Sequence, residues 1–414
     1  DPLHREKMTK EEEHKAEQHY IEGSRQLFGE IAQTIQKFLA RLYRECEQEL
    51  GPAPCKYTVM GMGSMALQQM TPYSDLEFSI LVENPKDKEQ LQAWRDYLRK
   101  LTHLVNFRVI NLGESVPPKS KYGVSLDNLC KPGVNLDLGG KTPLNGADKR
   151  YDLIQPVSGM LPYLKNERRK IEHMDKNLPS ILESTCYVHG DEALYKAYES
   201  GKQRFLREDK TAAGLPVYKD RALQRLMEGV VEIDYTKLTD RERKFIGDLE
   251  KFSPELIESG DSGRLYNVKK EIYRLPDRLL YGLATYYGIL PTSCWDAVEQ
   301  LAQQNIIDAG EAAHHLQFAA SFATMLRLRT YLEHQSQSEK ITMPIGKGEE
   351  LDTKAVQAMF SLPAASLTPS GGLFKYYYTV LPLHSKMEEF FGAAHLHYQI
   401  TALIKSRPEA SNEL

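Results

Sequence analysis

No stretch of the 414-residue chain approaches the roughly 18 apolar residues that a membrane-spanning helix needs, so a spanning helix is not expected. The opening residues, DPLHREKMTKEEEHK, hold no apolar signal core. The five cysteines (Cys46, Cys55, Cys130, Cys186 and Cys294) include no Cys-x-x-Cys pair, and their number is odd. A disulfide framework and a structural zinc site are therefore not indicated, and reduced, mostly buried thiols in a cytoplasmic setting are expected. Nor is there a basic excess: 27% of residues are charged and the net charge is −4. With no interleaving of basic and aromatic residues, a nucleic-acid partner is not expected. No fixed-period repeat or low-complexity tract interrupts the chain, and its length suggests two or three domains.

What the chain does carry is concentrated in Tyr57–Glu83, YTVMGMGSMALQQMTPYSDLEFSILVE. It reads as strand, glycine turn, short helix, tight turn and second strand. Side chains alternate faces along a strand, so Leu76, Phe78, Ile80 and Val82 share a core face while Asp75 and Glu77 point together from the other. Two carboxylates so placed are costly unless something cationic joins them. A hard divalent cation, Mg²⁺ or else Mn²⁺, takes oxygen ligands and leaves positions for substrate phosphates. Just upstream, Gly61-Met62-Gly63-Ser64 offers backbone N–H groups and a hydroxyl where anionic phosphate is held. Either half alone is common on ordinary surfaces; the combination carries the argument.

Gly63-Ser64, ten residues, then acidic-apolar-acidic-apolar resembles the signature of the nucleotidyltransferase superfamily. Gly63-Ser64-Met65-Ala66 and Thr71-Pro72-Tyr73-Ser74-Asp75-Leu76-Glu77 are similar to the branch holding the PII-protein uridylyltransferase and the glutamine-synthetase adenylyltransferase. Leu67-Gln68-Gln69 stands where that branch usually has Arg-Gly-Glu. The resemblance implies an α+β fold: a polymerase-β-like mixed-sheet nucleotidyltransferase domain followed by an all-helical bundle domain. It also implies a third carboxylate from a later strand. Gly133–Gly140, GVNLDLGG, reads as a strand with Asn135 and Asp137 on one face, so Asp137 is the candidate, with Asp127 and Asp152 behind it. The competing reading of Asp137 is a turn residue that caps backbone amides. Gly190-Asp191 is similar to the segment that closes the family's catalytic domain. Asn267-Val268-Lys269 is similar to an Asn-Leu-Lys element whose lysine lies against nucleotide phosphates. Lys269 takes that role by resemblance, with Lys270 and Arg274 as further nucleotide-binding candidates.

Periodicity organises the remainder. Phe28, Ile31, Ile35, Phe38 and Leu42 predict a helix over about 10–50 with one buried face, ended by Gly51-Pro52. Lys86–Leu104 reads as a helix, Phe107–Leu112 as a short strand, Lys141–Gly159 as a polar loop and Leu161–Met174 as a helix. The resemblance implies helix, Gly-Asp, helix over Leu178–Glu199, and no strand is expected from Asp191 onward. Helices are expected at Glu192–Arg207, Asp220–Val231, Asp240–Lys251, after the cap Thr292-Ser293, at Glu311–Glu333, at Val356–Phe360 and at Leu383–Ile404. Adjacent residues on a helix diverge by about 100°, so His314-His315 is read as structural or solvated rather than as a metal pair. The expected domains are residues 1–50, an N-terminal helical segment; 51–190, the catalytic domain; 191–345, a helical nucleotide- and substrate-binding domain; and 346–414, a C-terminal helical extension.

The resemblance implies Mg²⁺-dependent transfer of a nucleoside monophosphate from a triphosphate to an acceptor hydroxyl, with pyrophosphate released. The implied acceptor is a protein side chain, as in AMPylation or UMPylation. Asp75, Glu77 and Asp137 would hold the metal and serve catalysis, while Gly63 and Ser64 would clamp phosphates. Two alternatives stand beside this: transfer to a small molecule or an RNA end, and an inactive nucleotide-binding regulatory module. The expected partners are a nucleoside triphosphate and a protein acceptor, with neither membrane nor nucleic acid.

Overall fold

A computed structural model describes residues 9–111, 135–136, 143, 152–165, 178–211, 214–226, 265–335, 337, 340–342, 372, 375–387 and 389. The described parts of Gln26–Phe205 and Tyr331–Ser338 form one compact unit, here the sheet unit. Those of Asp1–Arg25, Leu206–Thr330 and Glu339–Leu414 form another, the helical unit.

Helix α1 spans Lys10–Leu50. A reciprocal cap opens it: the Glu12 carboxylate accepts from the Thr9 amide at 2.8 Å, and the Thr9 hydroxyl accepts from the Glu12 amide at 3.3 Å. In the sheet unit its stripe of Phe28, Ala32, Ile35, Leu39, Leu42, Tyr43 and Cys46 is buried, with Ile31 and Phe38 partly so. Gly51, at φ +94°, ends the helix where a side chain would be strained.

Strand β1 (Tyr57–Met62) follows, then β2 (Asp75–Leu76) and β3 (Phe78–Val82). The single expected strand over Asp75–Val82 is thus divided at Glu77, where it changes partners. Below Glu77, β2 pairs in parallel with the later β4 (Asn135–Leu136); above it, β3 pairs antiparallel with β1. Leu76, Phe78, Ile80 and Val82 all enter the core, as their spacing predicts. The alternate residues Ser79 and Leu81 are buried too, so both faces of β3 are covered.

Helix α2 runs Lys88–Asn111 and corrects the expected strand at Phe107–Leu112. Val105 and Val109 continue the buried spacing of Trp94, Leu98 and Leu101, and this packing overrides the strand preference of a β-branched run. Arg108, near its end, is paired with Glu45 and Glu49 of α1. Strand β5 (Ile154–Pro156) and the start of helix α3 (Val157–Lys165) replace the end of the polar loop expected over Lys141–Gly159, because Leu153, Ile154 and Met160 are buried, while most of residues 141–151 lies outside the described residues. Most of the helix expected over Leu161–Met174 lies outside the described residues.

A short helix α4 (Leu178–Ile181) leads into strand β6 (Thr185–Gly190), where a longer helix was expected. Thr185, Tyr187 and Val188 favour a strand, and the outer edge of β1 supplies its hydrogen bonds. The four-stranded mixed sheet has the order β5-β3-β1-β6. Gly190, at φ +102°, has no room for a side chain: a Cβ would lie 2.1 Å from the Tyr57 carbonyl oxygen. Asp191 then donates its amide to that oxygen at 2.7 Å and accepts from the Ala193 amide at 2.8 Å, opening helix α5 (Glu192–Arg207).

The helical unit holds α6 (Val217–Leu226), strand β7 (Leu265–Asn267), a π-helical turn over Val268–Tyr273, α7 (Arg274–Tyr286), α8 (Cys294–Gln303) and the start of α9 (Glu311–His334). β7 pairs antiparallel with β8 (Lys340–Thr342), so this region is not strand-free as expected. Ser293 caps α8 by accepting from the Asp296 amide at 3.1 Å, and the Trp295 indole donates to Ser321 at 2.8 Å. The helices expected at Asp240–Lys251 and Val356–Phe360 lie outside the described residues, while residues 375–387 are helical. Among the described residues no helix is long and apolar enough to cross a membrane.

One buried charge joins three distant segments of this unit. The Glu17 carboxylate, 1% exposed, lies 2.8 Å from Nε2 of His314 and also accepts from Lys375. His14 stacks on His314 at 4.1 Å, so His314 serves structure, as expected. Burial works to raise the Glu17 pKa, but its bonds to His314 and Lys375 outweigh burial and hold it below its ordinary 4.5. A depressed folded pKa contributes stability above about pH 4.5 that is lost as pH falls through the folded value. Melting temperature measured against pH should therefore drop in wild type on acidification below about pH 4.5, and Glu17→Gln should flatten that drop. At pH 7, Glu17→Ala should lower stability by about 3 kcal/mol, because it leaves the half-buried Lys375 ammonium without its counter-charge and His314 without its hydrogen-bond partner.

Candidate functional site

The candidate site lies where β1 ends and β2 passes into β3, within the sheet unit. Met62 donates its amide to the Glu77 carbonyl oxygen at 2.9 Å. The next residue, Gly63, has φ +59°, and a Cβ there would lie 2.4 Å from Oε2 of Glu77. The Glu77 carboxylate therefore occupies the space that a side chain on Gly63 would take. Glu77 is half-buried, and Asp75, two residues earlier, is exposed.

Gly63 opens a hydrogen-bonded turn. Its carbonyl accepts from Leu67 at 3.1 Å, that of Ser64 from Gln69 at 2.9 Å and that of Met65 from Gln68 at 3.2 Å. The turn does not propagate into the expected helix, because Gln68 adopts a left-handed φ of +51°. The carbonyls of Gly63, Ser64 and Met65 are thus engaged within the turn, and the leading N–H groups of a tight turn are of the kind that receives anions. Ser64 is half-buried in this turn.

The packing of Gly61 against Cys186 and the bonds of Thr71 and Ser74 support the turn in ways not assigned from the sequence. Gly61 is as tightly packed as Gly63: a Cβ would meet the Met65 sulfur at 2.6 Å and the Cys186 sulfur at 2.9 Å. Burial pushes the Cys186 thiol up to about 12, so it is a neutral packing group rather than a nucleophile. Thr71 and Ser74 close the tight turn before Asp75: Ser74 Oγ accepts from the Thr71 amide at 2.9 Å, and the Ser74 amide donates to the Thr71 carbonyl at 3.0 Å. The Thr-x-x-Ser spacing was the available signal for that turn. The close approach at Gly61 had none, since Cys186 is remote in sequence.

Asp137 lies outside the described residues, as does Asp127. Of the strand expected over Gly133–Gly140, the described part is β4, whose Asn135 and Leu136 pair in register with Asp75 and Leu76. Asp152 is engaged by Arg95 at 3.2 Å and by Arg99. Among the described residues no three acidic, histidine or cysteine side chains converge on one point as a metal site. Asp75 and Glu77 supply two hard oxygen donors, the number Mg²⁺ commonly takes from protein when substrate phosphates and water complete its shell.

Lys269, Lys270 and Arg274 belong to the helical unit. Asn267 caps the π-helical turn, accepting from the Lys270 amide at 2.9 Å. The Lys269 carbonyl accepts from Arg274, whose guanidinium lies 3.8 Å from Asp277. Lys270 is exposed and Lys269 half-buried.

Residues 17–121 match a family model described as "Putative nucleotidyltransferase DUF294". The match takes in the glycine turn, Asp75 and Glu77 over roughly a quarter of the chain. It supports the nucleotidyltransferase superfamily and nucleotidyl transfer in general. A search of curated proteins finds no match.

Gly63→Ala is expected to destabilise the protein by about 1–2 kcal/mol through its left-handed φ. Thermal unfolding checks this; a melting temperature equal to wild type would contradict the left-handed backbone at Gly63.

Proposed function

We propose that the sheet unit is a Mg²⁺-dependent nucleotidyltransferase that moves a nucleoside monophosphate from a triphosphate to a hydroxyl on a protein side chain. The observation that carries the reading is that the Glu77 carboxylate occupies the space a side chain on Gly63 would take. It holds an acid against the turn that would receive phosphate. The choice of a protein acceptor rests on the sequence resemblance to the uridylyl- and adenylyltransferase branch.

The Gly63 and Ser64 amides and the Ser64 hydroxyl would hold the β- and γ-phosphates. Asp75, Glu77 and Asp137 would hold Mg²⁺, or Mn²⁺ in its place. In sequence, Asp137 directly follows Leu136, the residue paired beside Leu76. When bound, the metal supplies charge neutralisation on the triphosphate and acidifies the attacking hydroxyl. The acceptor oxygen forms a bond to the α-phosphorus, the bond from that phosphorus to the bridging β-phosphate oxygen breaks, and pyrophosphate leaves. The hydroxyl proton passes to a carboxylate, for which Asp137 is the candidate. The chain's contribution is positioning and fixed charge, which suits a small rigid turn backed by a sheet.

Asp75→Asn combined with Glu77→Gln keeps shape and removes both charges. Transfer of label from α-labelled triphosphates and release of pyrophosphate should fall by about 10³-fold or more. The melting temperature should stay within a few degrees, since Asp75 is exposed and Glu77→Gln is isosteric. Activity that survives the pair would remove these residues from the metal site.

A further inference from the structure

Behind the turn sits a closed polar cluster that the proposed reaction does not use. One face of α5 (Tyr195, Tyr198, Glu199 and Lys202) fastens the segment that leads into β6. Tyr198 donates to the Leu182 carbonyl at 2.9 Å, Lys202 to the Glu183 carbonyl at 3.0 Å and Tyr195 to the Thr185 carbonyl at 3.0 Å. The Lys202 ammonium also donates to Thr185 Oγ1 at 3.1 Å and to Glu199 Oε1 at 2.6 Å. The Thr185 hydroxyl donates to the same Glu199 oxygen at 2.6 Å. An ammonium has three donors, and here all three are used inside the protein. The Lys202 side chain is only 5% exposed, so it is not placed to touch a substrate. The Lys202 ammonium is buried while Glu199 is half-buried, and taking such a charge from water is costly unless its donors are satisfied as here.

Its position supplies a use. Thr185 is the register partner of Met62, the residue immediately before Gly63. Cys186, next in the strand, packs against Gly61. From the opposite edge, Met62 is bonded to Glu77. The end of β1 is therefore held on one side by the candidate acid and on the other by the strand that α5 fastens.

We infer that Thr185, Glu199 and Lys202 are positioning residues for the phosphate-binding turn, fixing the end of β1 from which Gly63 and Ser64 project. This rests on the nucleotidyltransferase reading and extends it to the residues that preorganise the cradle. A turn that grips the phosphates equally before and during reaction contributes uniform binding, so loosening it weakens affinity and spares the chemical step.

Thr185→Val removes the hydroxyl at nearly constant shape, and Thr185→Ser retains it. Calorimetry with Mg²⁺ and ATP, UTP, CTP or GTP, whichever binds wild type, gives Kd; pyrophosphate release at saturation gives the chemical rate. In Thr185→Val, Kd should rise about tenfold while the saturated rate stays within about twofold; Thr185→Ser should bind within about twofold of wild type. Lys202→Met should show the same split. All are measured well below each variant's melting temperature, which is recorded separately. An unchanged Kd in Thr185→Val and Lys202→Met, with or without a lower melting temperature, or a loss confined to the saturated rate, overturns this inference and leaves the nucleotidyltransferase reading standing. Wild-type protein that binds none of the four triphosphates overturns both.

Discussion

The carboxylate of Glu77 lies where a side chain on Gly63 would otherwise be, and the rest of the candidate site follows from that approach. A single carbon at Gly63 would displace the acid or the turn. The bond from the Met62 amide to the Glu77 carbonyl holds the same two segments together one residue earlier. The acid and the turn therefore cannot be arranged independently, and Asp75 is carried along because it is only two residues from Glu77. A site that must oppose a triphosphate with fixed charge benefits from this coupling, since little reorganisation is left for the moment of reaction.

The sheet provides rigidity behind that contact. β1 and β3 are buried on both faces, so the end of β1 is not free to lift. β2 leaves the main sheet to pair with β4, which turns Asp75 outward while Glu77 stays half-buried against the turn. At the far end of β1, Gly190 allows β6 to close on the Tyr57 carbonyl, and Asp191 starts α5. The Gly190-Asp191 pair thus has a physical account of its own: one residue for close approach, the next for a helix cap.

Much of the site was legible in the sequence because it is local. Gly63, Ser64, Asp75 and Glu77 span only a short stretch, and strand parity with turn residues was enough to set the acids apart from the core face. The long stripe of α1, its stop at Gly51 and the Ser293 cap were legible for the same reason. Long-range effects were not. β6 looked helical until paired with β1, and Phe107–Leu112, with its Val109, looked like strand until packed as helix. β5 was hidden in a stretch rich in turn residues, and the β7–β8 pair joins segments too far apart for any local pattern to connect. The cluster of Thr185, Glu199 and Lys202 depends on β6 and could not be seen before it.

The account joins a glycine turn, two acids and a divalent cation in one cradle, so the cation is its most exposed element. Electron paramagnetic resonance of Mn²⁺ added to the protein with a non-hydrolysable nucleoside triphosphate tests it directly. The account predicts one or two tightly bound ions per chain in the presence of the triphosphate, and their loss in Asp75→Asn and in Glu77→Gln. Mn²⁺ that remains free in wild type, or that binds equally well in both variants, would contradict it.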